Sequence, residues 1–151
     1  MDSGDADAAS PARASTNTLA DFFDLRDQLR KGPIGDGALD TCRALSRALD
    51  AAIADLFPAA LGGELAVVAV GGYGREEQSL FSDVDVMLLH SGIDVDAVAK
   101  SLLYPLWDAG LKVGHSVRTV TEATAAAGES LETLTSLLSM RLVAGSDRLI
   151  P

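Results

Sequence analysis

The segment Val68–Leu89, which reads VAVGGYGREEQSLFSDVDVMLL, constrains the fold more than any other part of the chain. Two apolar runs, Leu65–Val70 and Val84–Leu89, are rich in valine and leucine, and their length and composition predict two buried strands. Between them lies a turn whose backbone can adopt positive φ and lie flat against a ligand, because it contains three glycines: Gly71, Gly72 and Gly74.

Two aspartates, Asp83 and Asp85, stand at the start of the second predicted strand. Residues two apart in a strand project from the same face, so both carboxylates can converge on one point. Adjacent carboxylates repel each other unless a cation lies between them, and phosphate-bound Mg²⁺ prefers such hard oxygen ligands. Backbone N–H groups of the neighbouring glycine turn could donate hydrogen bonds to the oxygens of a triphosphate. The pattern therefore indicates metal-assisted transfer of a nucleotidyl group.

Each half of this pattern alone has a purely structural explanation. Glycine pairs commonly mark turns, and an Asp-Val-Asp at a strand edge can simply be solvated. Together they form Gly71-Gly72, ten further residues, and then Asp83-Val84-Asp85-Val86. That spacing resembles the signature of the polymerase-beta-like nucleotidyltransferase superfamily.

Three longer blocks, GGYGREEQSLFSDVDVMLL, LWDAGLKVGHSVRTVTEA and LLSMRLVAG, narrow the resemblance. They are similar to the N-terminal nucleotidyltransferase domain of the bacterial protein-PII uridylyltransferase/uridylyl-removing enzymes, over roughly residues 20 to 150. The resemblance implies Mg²⁺-dependent transfer of UMP from UTP to a tyrosine of the PII nitrogen-regulatory protein, with release of pyrophosphate. Enzymes of this family are much longer, so it also implies that residues 19–151 are a transferase domain truncated from a multidomain enzyme.

The resemblance also assigns site residues. Asp83 and Asp85 would be catalytic and would hold Mg²⁺. Tyr73 would bind the nucleotide, or it could instead pack beneath the turn. Arg75 would bind the nucleotide, or it could instead pair with Glu76 or Glu77. His115 could be either a structural hydrogen-bonding residue or part of the site. Nucleotide-binding roles are implied for residues in the matched blocks: Gly71, Gly72, Tyr73, Gly74, Arg75, Ser82 and Arg118.

The chain departs from the superfamily pattern at a third carboxylate, which members often carry on the strand corresponding to Leu111–Val120. That segment contains no Asp or Glu, and Lys112 occupies a position where the family often has Glu. Either two aspartates suffice for the metal or a third ligand comes from elsewhere. Two alternative functions stay open: adenylyl transfer from ATP, and a non-catalytic nucleotide-binding or regulatory module.

The resemblance implies an α/β (α+β) fold of the polymerase-beta-like nucleotidyltransferase type, a small mixed twisted sheet with packed helices. Apolar spacing and end signals predict the remaining elements. Residues 1–18 are predicted to be a flexible tail. Leu111–Val120 is predicted as a third strand, antiparallel or mixed with the first two. Helices are predicted at Leu19–Arg30, at Ala38–Phe57, from Arg75-Glu76, and from a cap at Asp94 or Asp96 to about Ala109. Two more are predicted at Glu122–Ala127, with Thr121 as cap, and from Ser130 to Ala144, with a core-facing stripe of Leu131, Leu134, Leu138 and Leu142.

Composition excludes several classes of protein. The 151 residues suit one domain, and a net charge of −10 argues against a general nucleic-acid binder. Cys42 is the only cysteine, which excludes an intrachain disulfide and a cysteine-rich metal site. The chain has no apolar run of membrane-spanning length and no signal-peptide core at its start, so we expect a cytoplasmic protein without membrane contact.

Overall fold

The computed structural model describes residues 11–32 and 37–151, with side chains from residue 18 onward. The chain folds into a four-stranded sheet with helices on both faces, which confirms the predicted α/β class. The strands are β1 (Leu65–Ala69), β2 (Val84–His90), β3 (Val113–Thr119) and β4 (Arg141–Gly145). The helices are α1 (Pro11–Lys31), α2 (Ala38–Leu56), α3 (Gly71–Gly74), α4 (Asp96–Asp108), α5 (Val120–Glu129) and α6 (Leu131–Leu138), with 3₁₀ turns at Ala59–Leu61 and Asp147–Leu149.

The sheet is mixed, as predicted, and its strand order is β3-β2-β1-β4. β1 runs antiparallel to both β2 and β4, whereas β2 and β3 are parallel. The parallel pair requires a crossover, and α4 supplies it. In the β2–β3 register Asp85 stands opposite Gly114. This register brings the aspartate pair beside the start of β3.

The two faces of the sheet carry two hydrophobic cores because side chains alternate along β2. Val84, Val86 and Leu88 belong to the larger core with α1, α2 and α4. Met87 and Leu89 belong to the smaller core, with α5 and α6 residues. Asp85 is in step with Met87 and Leu89, so its carboxylate projects on the face that α5 and α6 cover.

Several predicted helix boundaries differ from the structure. α1 begins at Pro11, so the predicted flexible tail overlaps its first turns, while residues 1–10 lie outside the described residues. The helix predicted from Arg75 is wrong, because the glycine turn is itself helical and Arg75 is its C-cap. Thr119 rather than Thr121 caps α5, since its side chain accepts the Glu122 N–H and the Glu122 side chain accepts its backbone N–H.

The last predicted helix is also wrong in its second half. α6 ends at Leu138, and the chain then returns to the sheet as β4, which pairs with β1. Leu131 and Leu138, predicted to face the core, are 79% and 80% exposed, and Leu137 is the buried residue of this helix. Across the part of the chain that is described, no helix has both the length and the apolar character needed to cross a membrane.

Candidate active site

A cleft of about 290 Å³ opens where β1 passes into α3, beside the starts of β2 and β3. It is lined by the glycine turn, the second aspartate of the pair, β3 and α6. The polar side chains and glycines of its lining are Gly71, Asp85, Gly114, His115, Ser116, Glu132 and Ser136.

Asp85 is held firmly at this cleft by the sheet. Its carbonyl accepts the Val70 N–H at 3.0 Å, so the strand and the start of the glycine turn are joined directly at this residue. Its carboxylate lies between two glycines. A Cβ at Gly71 would be 3.8 Å from Oδ2, and a Cβ at Gly114 would be only 2.5 Å from Oδ1. The lack of a side chain at position 114 is therefore what gives this carboxylate its place.

Asp83 lies exposed immediately before β2, and its charge reaches Asp85. The pKa of Asp85 is raised from its ordinary value, first by partial burial and then by the negative charge of Asp83. The fold therefore brings the two predicted carboxylates close enough to repel each other. A cation bound by both would relieve this repulsion.

The two carboxylates of Asp83 and Asp85 are a ligand set that fits Mg²⁺. Mg²⁺ is commonly bound through one or two carboxylates, with water and substrate phosphates as its other ligands. Over residues 11–32 and 37–151, no group of three or more His, Cys, Asp or Glu side chains is arranged to hold a metal ion. Glu132 brings a further carboxylate to the same cleft from α6, but outside any such group.

The glycine turn forms α3, and Gly71 adopts φ +59°, which strongly favours glycine. The first N–H groups of any helix have no partner within that helix, so the turn offers backbone donors next to Asp85. Gly74 serves packing, because a Cβ there would collide with the backbone carbonyl of Ser139. Gly71 thus lines the cleft, Tyr73 and Gly74 are buried, and Gly72 is partly exposed outside the cleft lining.

Tyr73 packs beneath the turn, which was the structural alternative for this residue. Its side chain is 2% exposed, and its hydroxyl donates to the Asp50 carboxylate at 2.6 Å. Burial raises the pKa of Tyr73 well above its ordinary value, and the charge of Asp50 adds to the effect. Arg141 donates to both oxygens of Asp50 and, at 3.3 Å, to the carbonyl of Tyr73. The Tyr73 side chain supports the turn and does not reach the cleft.

Three other residues were assigned to nucleotide binding. Two of them have partners within the protein, and the third lies further along the sheet from the cleft. Arg75 forms an ion pair with Glu77 at 2.8 Å, which was the alternative to a nucleotide contact. The Ser82 hydroxyl closes its own turn, accepting the Ser79 N–H at 3.0 Å. Arg118 shares the face of Gly114 but lies further along β3, opposite Leu89 and near Glu122. Their roles in nucleotide binding stay predictions.

The cleft also contains residues that the sequence prediction missed. Gly114 and Ser116 share a strand face with Asp85, so the period-two rule could have placed them there once the pairing of β2 with β3 was known. Glu132 and Ser136 are four apart on α6 and so face the same side of a helix. His115 was not missed, since the sequence left it open as a structural or a site residue. It lines the edge of the cleft with its ring against Trp107, at 5.4 Å between centroids.

The chain is similar in sequence to enzymes of one name from several bacteria. The chain is 46% identical over 108 residues, 68% of its length, to the bifunctional uridylyltransferase/uridylyl-removing enzyme of Streptomyces coelicolor. It is 47% identical over 87 residues to the enzyme of that name from Mycobacterium tuberculosis, and 38% identical over 138 residues, 87% of the chain, to that of Cereibacter sphaeroides. No protein-family model matches the chain.

The mixed sheet, the glycine turn and the aspartate pair define a small α+β protein of the nucleotidyltransferase kind. The chain is a relative of the bifunctional uridylyltransferase/uridylyl-removing enzymes and matches their N-terminal region. The matched segments span 13%, 11% and 15% of the three relatives, so the chain corresponds to a small part of those enzymes.

Proposed function

We propose that this chain is the catalytic domain of a Mg²⁺-dependent uridylyltransferase, which transfers UMP from UTP to a tyrosine of a PII protein and releases pyrophosphate. The observation that carries the proposal is the Asp85 carboxylate, which lies between Gly71 and Gly114 with the charge of Asp83 beside it. The names of the relatives support uridylyl transfer as the reaction.

The residues of the cleft have separate roles in this reaction. Asp83 and Asp85 would hold Mg²⁺, which supplies charge neutralisation at the triphosphate when it is bound. The N–H groups at the start of the glycine turn would donate to phosphate oxygens. The acceptor tyrosine oxygen attacks the α-phosphorus, the bond between the α-phosphorus and the bridging oxygen breaks, and pyrophosphate leaves. Asp85 or Glu132, both of which line the cleft, would accept the phenolic proton.

The direct test is transfer of labelled UMP to a purified PII protein by the chain with Mg²⁺, compared with its Asp83→Asn and Asp85→Asn variants. We expect label on PII and released pyrophosphate with the parent chain. The transfer rate should fall by at least about 100-fold in each variant, because each removes one of the two carboxylate ligands of the metal. Circular dichroism should show that both variants keep the fold. Full transfer by either variant would contradict the metal assignment.

Calorimetric titration with UTP and ATP, each with and without Mg²⁺, separates the alternatives. Tighter Mg²⁺-dependent binding of UTP supports uridylyl transfer, whereas tighter binding of ATP would favour an adenylyltransferase. Metal-dependent binding without any product would favour a regulatory nucleotide-binding module, which the missing carboxylate on β3 makes worth testing. The PII partner and the cytoplasmic location stay predictions.

A further inference from the structure

Gln78 is a buried polar residue in the loop that leads from α3 to β2, and its side chain is directed at the backbone around Asp83. It is 3% exposed. Its side-chain Nε2 donates to the carbonyls of Ser82 and Asp83, at 3.0 and 3.4 Å. These two carbonyls lie on either side of the Asp83 Cα. The amide of Gln78 therefore holds the chain at the point where the first aspartate is placed.

The other end of Gln78 is tied to helix α2. Its backbone N–H approaches the hydroxyl oxygen of Ser46 at 3.4 Å, and this hydroxyl donates to the Cys42 carbonyl at 2.9 Å. Ser46 has no exposed surface. A continuous set of hydrogen bonds thus runs from the buried face of α2, through Gln78, to the backbone of Asp83.

The two aspartates differ in how they are fixed. Asp85 lies within β2, with β1 on one side and β3 on the other, and its carbonyl accepts the Val70 N–H. Asp83 precedes the strand. On the side that faces β3, the first backbone hydrogen bond of β2 is donated by the Val84 N–H to the Lys112 carbonyl. The sheet therefore fixes Asp85, while Asp83 depends on its loop.

Gln78 also has a structural disadvantage. Its Oε1 is buried and has no hydrogen-bond partner within the described part of the chain. Reversing the amide would direct that oxygen at two carbonyls, so donation to Ser82 and Asp83 sets the orientation. A buried acceptor without a donor lowers stability, and an apolar side chain of the same length would avoid that cost.

We propose that Gln78 is a positioning residue for metal binding, which holds the Asp83 backbone so that its carboxylate meets that of Asp85. The metal role of Asp83 rests on the proposed function, whereas the anchoring of its backbone does not. Residues outside the direct ligands commonly change metal affinity by about 10–100-fold when they are removed.

The test uses the full chain and its Gln78→Met variant, which keeps the length of the side chain and removes both the amide donors and the unpaired oxygen. ¹⁵N relaxation and amide hydrogen exchange are measured without ligand, and Mg²⁺ is titrated at fixed UTP to find its half-saturating concentration. We expect greater mobility at residues 79–83, a half-saturating Mg²⁺ concentration raised about tenfold, and a melting temperature that is unchanged or higher. Gln78→Glu, which directs carboxylate oxygens at the carbonyls, should raise both mobility and Mg²⁺ requirement further.

Ile53→Val is the control, because Ile53 is a buried residue of α2 in the core and touches none of these hydrogen bonds. It should lower the melting temperature without changing the mobility of the loop or the Mg²⁺ requirement. Unchanged relaxation at Ser82 and Asp83 in Gln78→Met would overturn the proposal, whatever the activity. If the parent chain binds no Mg²⁺–UTP, the proposed function fails, and the relaxation data alone decide whether Gln78 anchors the loop.

Discussion

Gly114 matters because of the atom that it lacks. A Cβ at this position would be 2.5 Å from Oδ1 of Asp85, closer than real Cβ atoms approach such a neighbour. In a Gly114→Ala variant the carboxylate must therefore rotate away from its place between the two glycines. Because a displacement of about 1 Å in a reacting group can cost about 100-fold in rate, we expect UMP transfer to fall by that order. Initial rates of labelled transfer at saturating UTP and Mg²⁺ measure the effect.

Gly128→Ala is a matched control, since it adds the same atom where nothing lies within 4 Å. Gly128 is in α5, so alanine should leave the transfer rate unchanged and raise the free energy of unfolding by about 0.5–1 kcal/mol. Equal rates for the parent chain and Gly114→Ala would show that the position of the Asp85 carboxylate is not critical.

Asp85 should lower stability at neutral pH because its pKa is raised in the folded chain by burial and by Asp83. Between its ordinary value of 3.8 and the higher folded value, the folded state binds more protons than the unfolded state. The free energy of unfolding therefore falls as pH rises through this window. We expect Asp85→Asn to melt at a higher temperature than the parent at pH 7, with the difference shrinking as pH falls below the window.

Mg²⁺ should reverse this order. A ligand that binds only the folded state raises its melting temperature, so Mg²⁺ with UTP should stabilise the parent chain and leave Asp85→Asn unchanged. Differential scanning calorimetry at pH 7 and below pH 4, with and without Mg²⁺–UTP, gives all of these values. A variant that melts below the parent at pH 7 would contradict the repulsion between Asp83 and Asp85.

At the residue scale, the sequence predicts features that depend on local periodicity. The period of two in a strand puts Asp83 and Asp85 on one face, and the raised pKa of Asp85 agrees with that. The contribution of Glu132 could not be predicted, because it depends on how α6 packs across the sheet. The resemblance assigned Tyr73 to nucleotide binding because it lies in a matched block. Its hydrogen-bond partner Asp50 is distant in the sequence, so the buried position of its side chain could not be predicted locally.

At the scale of elements, α3 ends in a turn that glycine would form better than the residue present. Glu76 has φ +58°, its N–H donates to the Tyr73 carbonyl at 3.1 Å, and the Glu77 N–H donates to the Gly72 carbonyl at 2.8 Å. This pattern is a Schellman motif, whose left-handed position favours glycine. The left-handed conformation costs a residue with a Cβ about 1–2 kcal/mol, and glycine loses about 0.5–1 kcal/mol in backbone entropy. We therefore expect Glu76→Gly to raise the free energy of unfolding by about 1 kcal/mol.

Glu76→Ala separates backbone strain from charge, because alanine removes the carboxylate and keeps the Cβ. Urea denaturation of both variants at equal ionic strength makes the comparison. Alanine should give little or no gain. An equal gain from alanine and glycine would mean that removal of a negative charge, rather than relief of the left-handed backbone, stabilises the chain.

Elements with strong local signals were predicted well, and those defined by distant partners were not. β1 and β2 were recognised from their valine and leucine runs, and β3 lies within its predicted segment. β4 was assigned to a helix, because leucines three and four apart continue from α6 into Leu142. What makes Arg141–Gly145 a strand is its pairing with β1, in which Val68 stands opposite Leu142. That edge of the sheet is formed by a segment more than sixty residues away, so no local pattern reports it.

At the scale of the whole molecule, one ion pair joins two elements that are far apart in the sequence. Asp50 on α2 and Arg141 on β4 are separated by 91 positions, and their closest contact is 2.6 Å. Their side chains are 24% and 26% exposed, so solvent screens the pair only partly. The Tyr73 hydroxyl donates to the same carboxylate, which connects the pair to the glycine turn. The network thus connects α2, α3 and β4 beneath the glycine turn.

Removing one member of this pair should therefore destabilise the fold and also disturb the turn. Arg141→Met leaves the half-buried Asp50 carboxylate with only the Tyr73 hydroxyl, and we expect a loss of about 2 kcal/mol in the free energy of unfolding. Asp50→Asn should cost less alone, because the amide oxygen can still accept hydrogen bonds. In the double variant the two losses should not add, with a coupling energy of about 1–2 kcal/mol measured by urea denaturation of all four proteins.

Tyr73→Phe separates the support of the turn from the ion pair, since it removes the hydroxyl alone and leaves Arg141 on Asp50. A loss of about 1 kcal/mol is expected for one hydrogen bond. If the turn is held by the whole network, Arg141→Met should also weaken Mg²⁺-dependent UTP binding, and Tyr73→Phe should do so less. Additive losses in the double variant, together with unchanged UTP binding in Arg141→Met, would show that the pair stabilises α2 and β4 without setting the geometry of the cleft.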